Sequence, residues 1–251
     1  MAGLEPAVRV FQDSEALARG AAEVFVECVH QSVLERRRFL VAFSGGRTPG
    51  SLYALLSAPP YREQIDWGVL HAFWGDERCV PPEDLENNYR MLEDLLLRHV
   101  PVPPENIHRV RTELGAASAA QDYALVLEKW SEPPLKWPRF DLILLGLGED
   151  GHTASLFPGS RVTDEAPVAV VRSASDPRPS GMRITMSPVV FNSARRVIFL
   201  VEGSSKAQAV ADVLFGAFDP ERLPAQRVRP TDGELIWMLD AEAARMAPRE
   251  D

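Results

Sequence analysis

The chain has 251 residues, 45% hydrophobic and 25% charged, a composition that excludes disordered, collagen-like and disulfide-stapled classes. A net charge of −9 repels a nucleic-acid backbone, so no nucleic-acid partner is expected. The longest apolar runs, such as Leu142–Leu145 and Val168–Val171, have strand length rather than the ~20 residues of a bilayer span, and no secretory signal precedes Phe11. No membrane partner is therefore expected, and Cys28 and Cys79, without CxxC or Cys/His spacing, suit a reducing cytoplasm without a disulfide framework or a zinc cluster.

From Asp13 the apolar residues Leu17, Ala21, Val24, Phe25, Cys28, Val29 and Val33 recur at three- and four-residue steps and predict an amphipathic helix. The run Arg36-Arg37-Arg38 reads as its solvated end, where cations suit the negative end of the helix dipole. Phe39 to Phe43 is an unbroken apolar run of strand length, closed by Ser44-Gly45-Gly46, and Pro49 is placed to begin a helix through Leu52, Leu55 and Leu56.

The same rhythm predicts a strand over Val69–Trp74, helices over Asn87–Val100 and Ala119–Trp130, and a strand over Asp141–Leu145. Further strands are expected over Ala166–Arg172, Arg183–Ser187, Val197–Val201 and Glu234–Leu239, with a helix over Lys206–Phe215. No linker or repeat interrupts the chain, so one domain spanning 1–251 is expected. Alternating buried strands and helices predict an α/β fold, an open, mostly parallel Rossmann-like sheet with helices on both faces. Ligands in such folds sit beyond the carboxyl ends of the strands, which singles out the loops Ser44–Pro49, Gly75–Pro82 and Gly146–Pro158.

The first loop, Ser44-Gly45-Gly46-Arg47-Thr48-Pro49, joins a buried strand to a helix, and its glycines let backbone N–H groups approach an anion at the positive helix end. It reads as a phosphate cradle or as a tight turn using glycine for geometry alone, and it is not a Walker A loop. The second loop gathers Asp76, Glu77 and Arg78 at a strand end. Surface charge explains such a triplet, but its position suits a phosphorylated, hydroxyl-rich ligand, with Arg78 on the anion and Asp76 accepting from hydroxyls.

The third loop contains Gly146-Leu147-Gly148-Glu149-Asp150-Gly151, a literal GxGxxG after a strand. Pro158 interrupts the helix a dinucleotide site needs, so that reading fails. What remains is His152, two residues after Asp150 in a glycine-rich strand-end loop, an arrangement that orients an imidazole as a general base. His30, His71, His99 and His108 lie within or beside predicted elements and read as surface or core histidines. No GxSxG elbow, HExxH helix or Cys/His pair is present, which leaves water as the nucleophile and an activated ester as its target.

Together these loops resemble the 6-phosphogluconolactonases, within the wider group that includes glucosamine-6-phosphate deaminases. The resemblance is carried by Phe43 to Pro49, by Trp74 to Pro81 with Asn88-Tyr89, and by Asp141 to Pro158. Arg183-Ile184-Thr185-Met186 and Gly203-Ser204-Ser205-Lys206-Ala207 are similar to the family's substrate-side segments. The resemblance implies a glucosamine-6-phosphate deaminase-like fold, no cofactor and no metal. It implies hydrolysis of a small-molecule phosphosugar lactone, 6-phospho-D-glucono-1,5-lactone, by a monomer or small homo-oligomer.

Carried over residue by residue, the resemblance makes His152 the base that deprotonates water and Asp150 its orienting partner. Ser44, Gly45, Gly46, Thr48, Arg78 and Lys206 would bind the phosphate, and Asp76 and Arg183 would contact sugar or phosphate. Lys206, one of only three lysines with Lys129 and Lys136, stands at a predicted helix start, where a cation opposes the dipole and hints at a bound anion. Arg47 departs from the family's usual small residue and is left outside the expected site.

Two rival readings remain. An amino-sugar-6-phosphate deaminase would share the phosphate loop, but Asp76-Glu77-Arg78 and Leu156-Phe157-Pro158 differ from the segments usual in that branch. A sugar-phosphate sensor would need no poised His152, and no helix-turn-helix segment is visible in the chain.

Overall fold

The computed structural model describes residues 6–173, 176 and 181–248. Its first half runs β1 (Ala7–Phe11), α1 (Ser14–Arg36), β2 (Phe39–Phe43), α2 (Arg47–Leu56), α3 (Tyr61–Gln64), β3 (Leu70–Trp74), β4 (Asp76–Arg78), α4 (Asn88–Leu95) and α5 (Ala116–Lys129). Its second half runs β5 (Leu142–Leu145), β6 (Val168–Arg172), β7 (Met182–Met186), α6 (Pro188–Asn192), β8 (Arg196–Val201), α7 (Ala207–Phe215), β9 (Glu234–Asp240) and α8 (Ala241–Ala244).

Six strands pair in parallel in the order β1-β9-β8-β5-β2-β3. Every residue of β2 and β5 is buried, as a parallel strand covered on both faces requires. The two faces can be told apart by aromatic packing. Phe25 of α1 meets Phe39 edge-on and stacks on Phe43, and Tyr53 of α2 meets the same Phe43. Phe73 is the register partner of Ala42, so it points to the opposite face, where it packs on His108, Phe140 and the Trp130 that ends α5.

Local chemistry sets the helix boundaries. Asp13 caps α1 by accepting the Ala16 N–H at 2.8 Å, and the helix stops where Arg37 turns to φ 58° and returns its N–H to the Val33 carbonyl. Asn87 caps α4, its side chain accepting the Arg90 N–H at 3.3 Å.

Several expectations need correction. Asp76–Arg78 is a strand, not part of a loop, and with the expected strands β6 and β7 it forms a separate antiparallel sheet in the order β4-β7-β6. The edge strand β1 carried no prediction, because its residues are mostly exposed and give no buried run. The helix expected over Asn87–Val100 ends at Leu95, since Leu96 leaves helical geometry at φ −133° and a short 3₁₀ turn follows at Leu97–His99. The arginine run is not simply solvated. Arg36 donates from Nε to the buried Asp141 at 2.8 Å, and Arg38 pairs with Glu132.

Candidate functional site

The loops after β2, β5 and β8 lie at the carboxyl edge of the parallel sheet, and β4 and β7 of the antiparallel sheet contribute side chains beside them. Between them opens a cleft of about 510 Å³. It is lined by Ser44, Gly45, Gly46, Thr48, Asp76, Arg78, His152, Arg183 and Lys206. Of the residues the sequence points to, only Asp150 does not itself line the cleft; it reaches the site through His152.

The loop after β2 is fixed from below. Tyr53 of α2 donates its hydroxyl to the Ser44 carbonyl at 2.8 Å and accepts the Ser44 N–H at 3.1 Å. That leaves the Ser44 hydroxyl buried with no protein partner. Gly46 sits at φ 109°, a region that favours glycine, and no side chain caps the start of α2. The first N–H groups of a helix are orphan donors, and uncapped they suit an anion.

The strand β4 supplies three different groups. Asp76 Oδ2 accepts the Ser155 hydroxyl at 2.6 Å, and burial raises its carboxyl while Ser155, Arg78, His152 and Arg183 pull it down. Glu77, expected as surface charge, is fully buried instead. Its Oε1 accepts the N–H groups of Asn88 at 2.7 Å and Arg78 at 2.8 Å, and its Oε2 accepts that of Tyr89 at 2.9 Å, so the carboxyl sits on the start of α4. Burial nonetheless pushes it up to about 8. Arg78 donates to the Glu86 carbonyl at 2.7 Å.

The loop after β5 builds a histidine–carboxylate pair. His152 Nδ1 lies 2.5 Å from Asp150 Oδ1, and the same oxygen accepts the His152 N–H at 3.1 Å. An ionised carboxylate only accepts, so Nδ1 carries the hydrogen, and in the neutral imidazole the lone pair is then on Nε2. Burial alone would raise the Asp150 carboxyl, but the His152 backbone N–H and imidazole hold it below its usual value.

Tight backbone geometry makes this pair possible. A Cβ on Gly148 would stand 2.0 Å from His152 Nδ1, and one on Gly151, at φ 81°, would meet Leu223 at 2.6 Å. Ala154, which lines the cleft, holds φ 46°, an uncommon conformation for a non-glycine residue. Among the described residues, this loop runs on to β6 with no helix between them.

Sequence reasoning left several wall residues out of the site: Arg47, Asn88, Ser155, Phe157 and Glu202. Ser155 and Phe157 stand in the same loop as His152, and that proximity was the available signal. Glu202, just beyond β8, had none, because a single acidic residue after a strand is common. Arg47 donates from Nε to Glu202 at 2.8 Å. Overall the cleft gathers Arg47, Arg78, Arg183 and Lys206 against the carboxylates of Asp76 and Glu202, a local cationic excess in a protein of net charge −9. Among the described residues no group of three or more His, Cys, Asp or Glu side chains is placed to hold a metal ion, and no helix is long and apolar enough to cross a membrane.

This arrangement can be set beside known proteins. Residues 12–237 match the family model described as glucosamine-6-phosphate isomerases/6-phosphogluconolactonase. A 6-phosphogluconolactonase of Synechocystis sp. is 36% identical over 244 residues, covering 96% of this chain and 98% of that protein. One from Haemophilus influenzae is 37% identical over 206 residues, covering 82% of this chain and 86% of its own length. The solved 6-phosphogluconolactonase of Trypanosoma brucei superposes with a TM-score of 0.84 at 29% identity, covering 97% of this chain and 99% of that one. A monomeric glucosamine-6-phosphate deaminase, at 20% identity and a TM-score of 0.79 over 96% of this chain and 99% of its own, shares the fold. With the matched model spanning most of its length, this chain belongs to the glucosamine-6-phosphate isomerase/6-phosphogluconolactonase family.

Proposed function

We propose that this protein hydrolyses 6-phospho-D-glucono-1,5-lactone to 6-phospho-D-gluconate, the lactone-opening step of the oxidative pentose phosphate pathway, with His152 as general base. The observation that carries the reading is a carboxylate-oriented imidazole in the same cleft as four cationic side chains and the uncapped start of α2. The names of the relatives support the same substrate.

In this reading the 6-phosphate lies against the uncapped start of α2, near Gly45, Gly46, Thr48 and the unpartnered Ser44 hydroxyl. Arg78, Arg183 and Lys206 supply the positive charge. Asp76, fixed by Ser155, accepts from sugar hydroxyls. With its Nδ1–H held by Asp150, His152 takes a proton at Nε2 from a water as that water attacks the C1 carbonyl. Asp150 stabilises the imidazolium that forms. The tetrahedral oxyanion then collapses, the bond from C1 to the ring oxygen breaks, and the imidazolium returns its proton to that oxygen. The histidine is regenerated neutral and the product is a carboxylic acid, which ionises in water.

The test is a coupled assay on freshly generated lactone, corrected for spontaneous hydrolysis. His152→Ala should lower kcat by about 10²–10⁴-fold, the usual contribution of a general base. A variant with wild-type kcat/KM would remove His152 from the mechanism. Ammonia release from glucosamine 6-phosphate without lactone hydrolysis above background would assign the deaminase branch instead.

A further inference from the structure

Arg47 is the first residue of α2, a place where a cation opposes the helix dipole. It is held there by an anion from a distant part of the chain. Its Nε donates to Glu202 Oε1 at 2.8 Å, a bond that ties the loop after β2 to the end of β8. The two partners differ sharply in environment: the Arg47 side chain is 85% exposed and that of Glu202 only 8%. Such a pair is screened on one side and contributes little to stability. Its geometry matters more than its strength. A guanidinium has five N–H donors, and Glu202 engages only the one on Nε.

We propose that Arg47 is a specificity-determining residue that selects phosphorylated over unphosphorylated ligands, in two ways. It cancels the charge of Glu202, a carboxylate in the cleft wall that would otherwise repel a phosphate. It also presents its terminal amino groups, oriented by the bond at Nε, to that phosphate. Glu202 is then a positioning residue that acts through Arg47. Both side chains line the same cleft as Arg78, Arg183 and Lys206, so the phosphate they meet is that of the ligand proposed above, and the inference rests on that reading.

A non-additive pattern follows. Arg47→Ala removes the donors and exposes the Glu202 charge, so it should raise KM for the phosphorylated lactone about 10- to 100-fold, the worth of one or two charge-assisted hydrogen bonds, with kcat nearly unchanged. Arg47→Ala/Glu202→Gln should recover part of that loss, because the repulsive charge is gone. Glucono-1,5-lactone, which lacks the phosphate, should be handled equally by wild type and Arg47→Ala.

The experiment measures KM and kcat for both lactones in the wild type, Arg47→Ala, Glu202→Gln and the double variant. It also measures Kd for 6-phosphogluconate by titration calorimetry, which needs no turnover. Weakened 6-phosphogluconate binding in Arg47→Ala, partly restored in the double variant, supports the proposal. Unchanged KM and Kd in Arg47→Ala overturn it, as does an equal loss on both lactones, since a merely structural role would not discriminate by phosphate. Binding that depends on Arg47 in a wild type devoid of lactonase activity would uphold this inference while removing the lactonase reading.

Discussion

Arg78 and Arg183 are register partners across β4 and β7, two arginines on neighbouring strands that both line the cleft. Like charges in that relation are destabilising, and burial together with Arg78 holds Arg183 below its usual value. Asp76 and Asp176 offset part of this repulsion. In the proposed reading, a phosphate bound near the two would offset more of it. Inorganic phosphate should therefore raise the Tm of the wild type more than that of Arg183→Met, and equal increments in a thermal scan would show that Arg183 does not meet the anion.

The pair of His152 and Asp150 makes separable demands. Asp150→Asn keeps the size of the side chain but can offer its amide N–H to Nδ1, which favours the wrong tautomer. It should lower kcat by about 10-fold or more while leaving KM within about twofold, as for an orienting carboxylate. A change confined to KM in steady-state kinetics would mean that Asp150 helps to bind substrate instead.

Gly148→Ala tests the same pair without touching either member. The added Cβ would stand 2.0 Å from His152 Nδ1 and 2.6 Å from Asp150 Oδ1, so the imidazole must move. The expected result is a fall in kcat approaching that of His152→Ala, with 6-phosphogluconate binding largely retained. Wild-type turnover in the purified variant would show that the loop can yield.

The buried Glu77 predicts a pH effect on stability. Its carboxyl is raised from the ordinary 4.5 to about 8, so the folded state favours the protonated form. That contribution is fully present below pH 4.5 and is lost as the pH rises through about 8. Between those limits the wild type should lose stability that Glu77→Gln, with nothing to titrate, does not lose. Parallel Tm profiles for the two proteins from pH 5 to 9 would overturn this assignment.

The parallel core was legible because burial on both faces leaves unbroken apolar runs such as Phe39–Phe43 and Leu142–Leu145, and the strand-end rule then pointed to three segments that do meet at one cleft, the second of them through strand β4. What escaped had no such pattern. Strand β4 is Asp-Glu-Arg, with no apolar residue to mark it, and becomes a strand only because β7 lies beside it. Membership of β6 and β7 in a second sheet depends on pairing between distant segments, which periodicity does not encode. Glu77 looked like surface charge because the three N–H groups it accepts come from the backbone, which has no signature in side-chain identity. The contact of Asp76 with Ser155 joins residues 79 positions apart, and that of Arg47 with Glu202 joins residues 155 apart.

The glycine at 45 has a consequence for binding entropy. Asn88 donates to the Asp76 carbonyl at 2.9 Å and occupies the space where a Cβ on Gly45 would stand, 2.0 Å from its Oδ1. Glu77 in turn holds the backbone of Asn88. The loop after β2, strand β4 and the start of α4 are thus interlocked before any ligand arrives. Little conformational freedom is left in that wall for a phosphosugar to quench, so more of the interaction free energy is available as affinity.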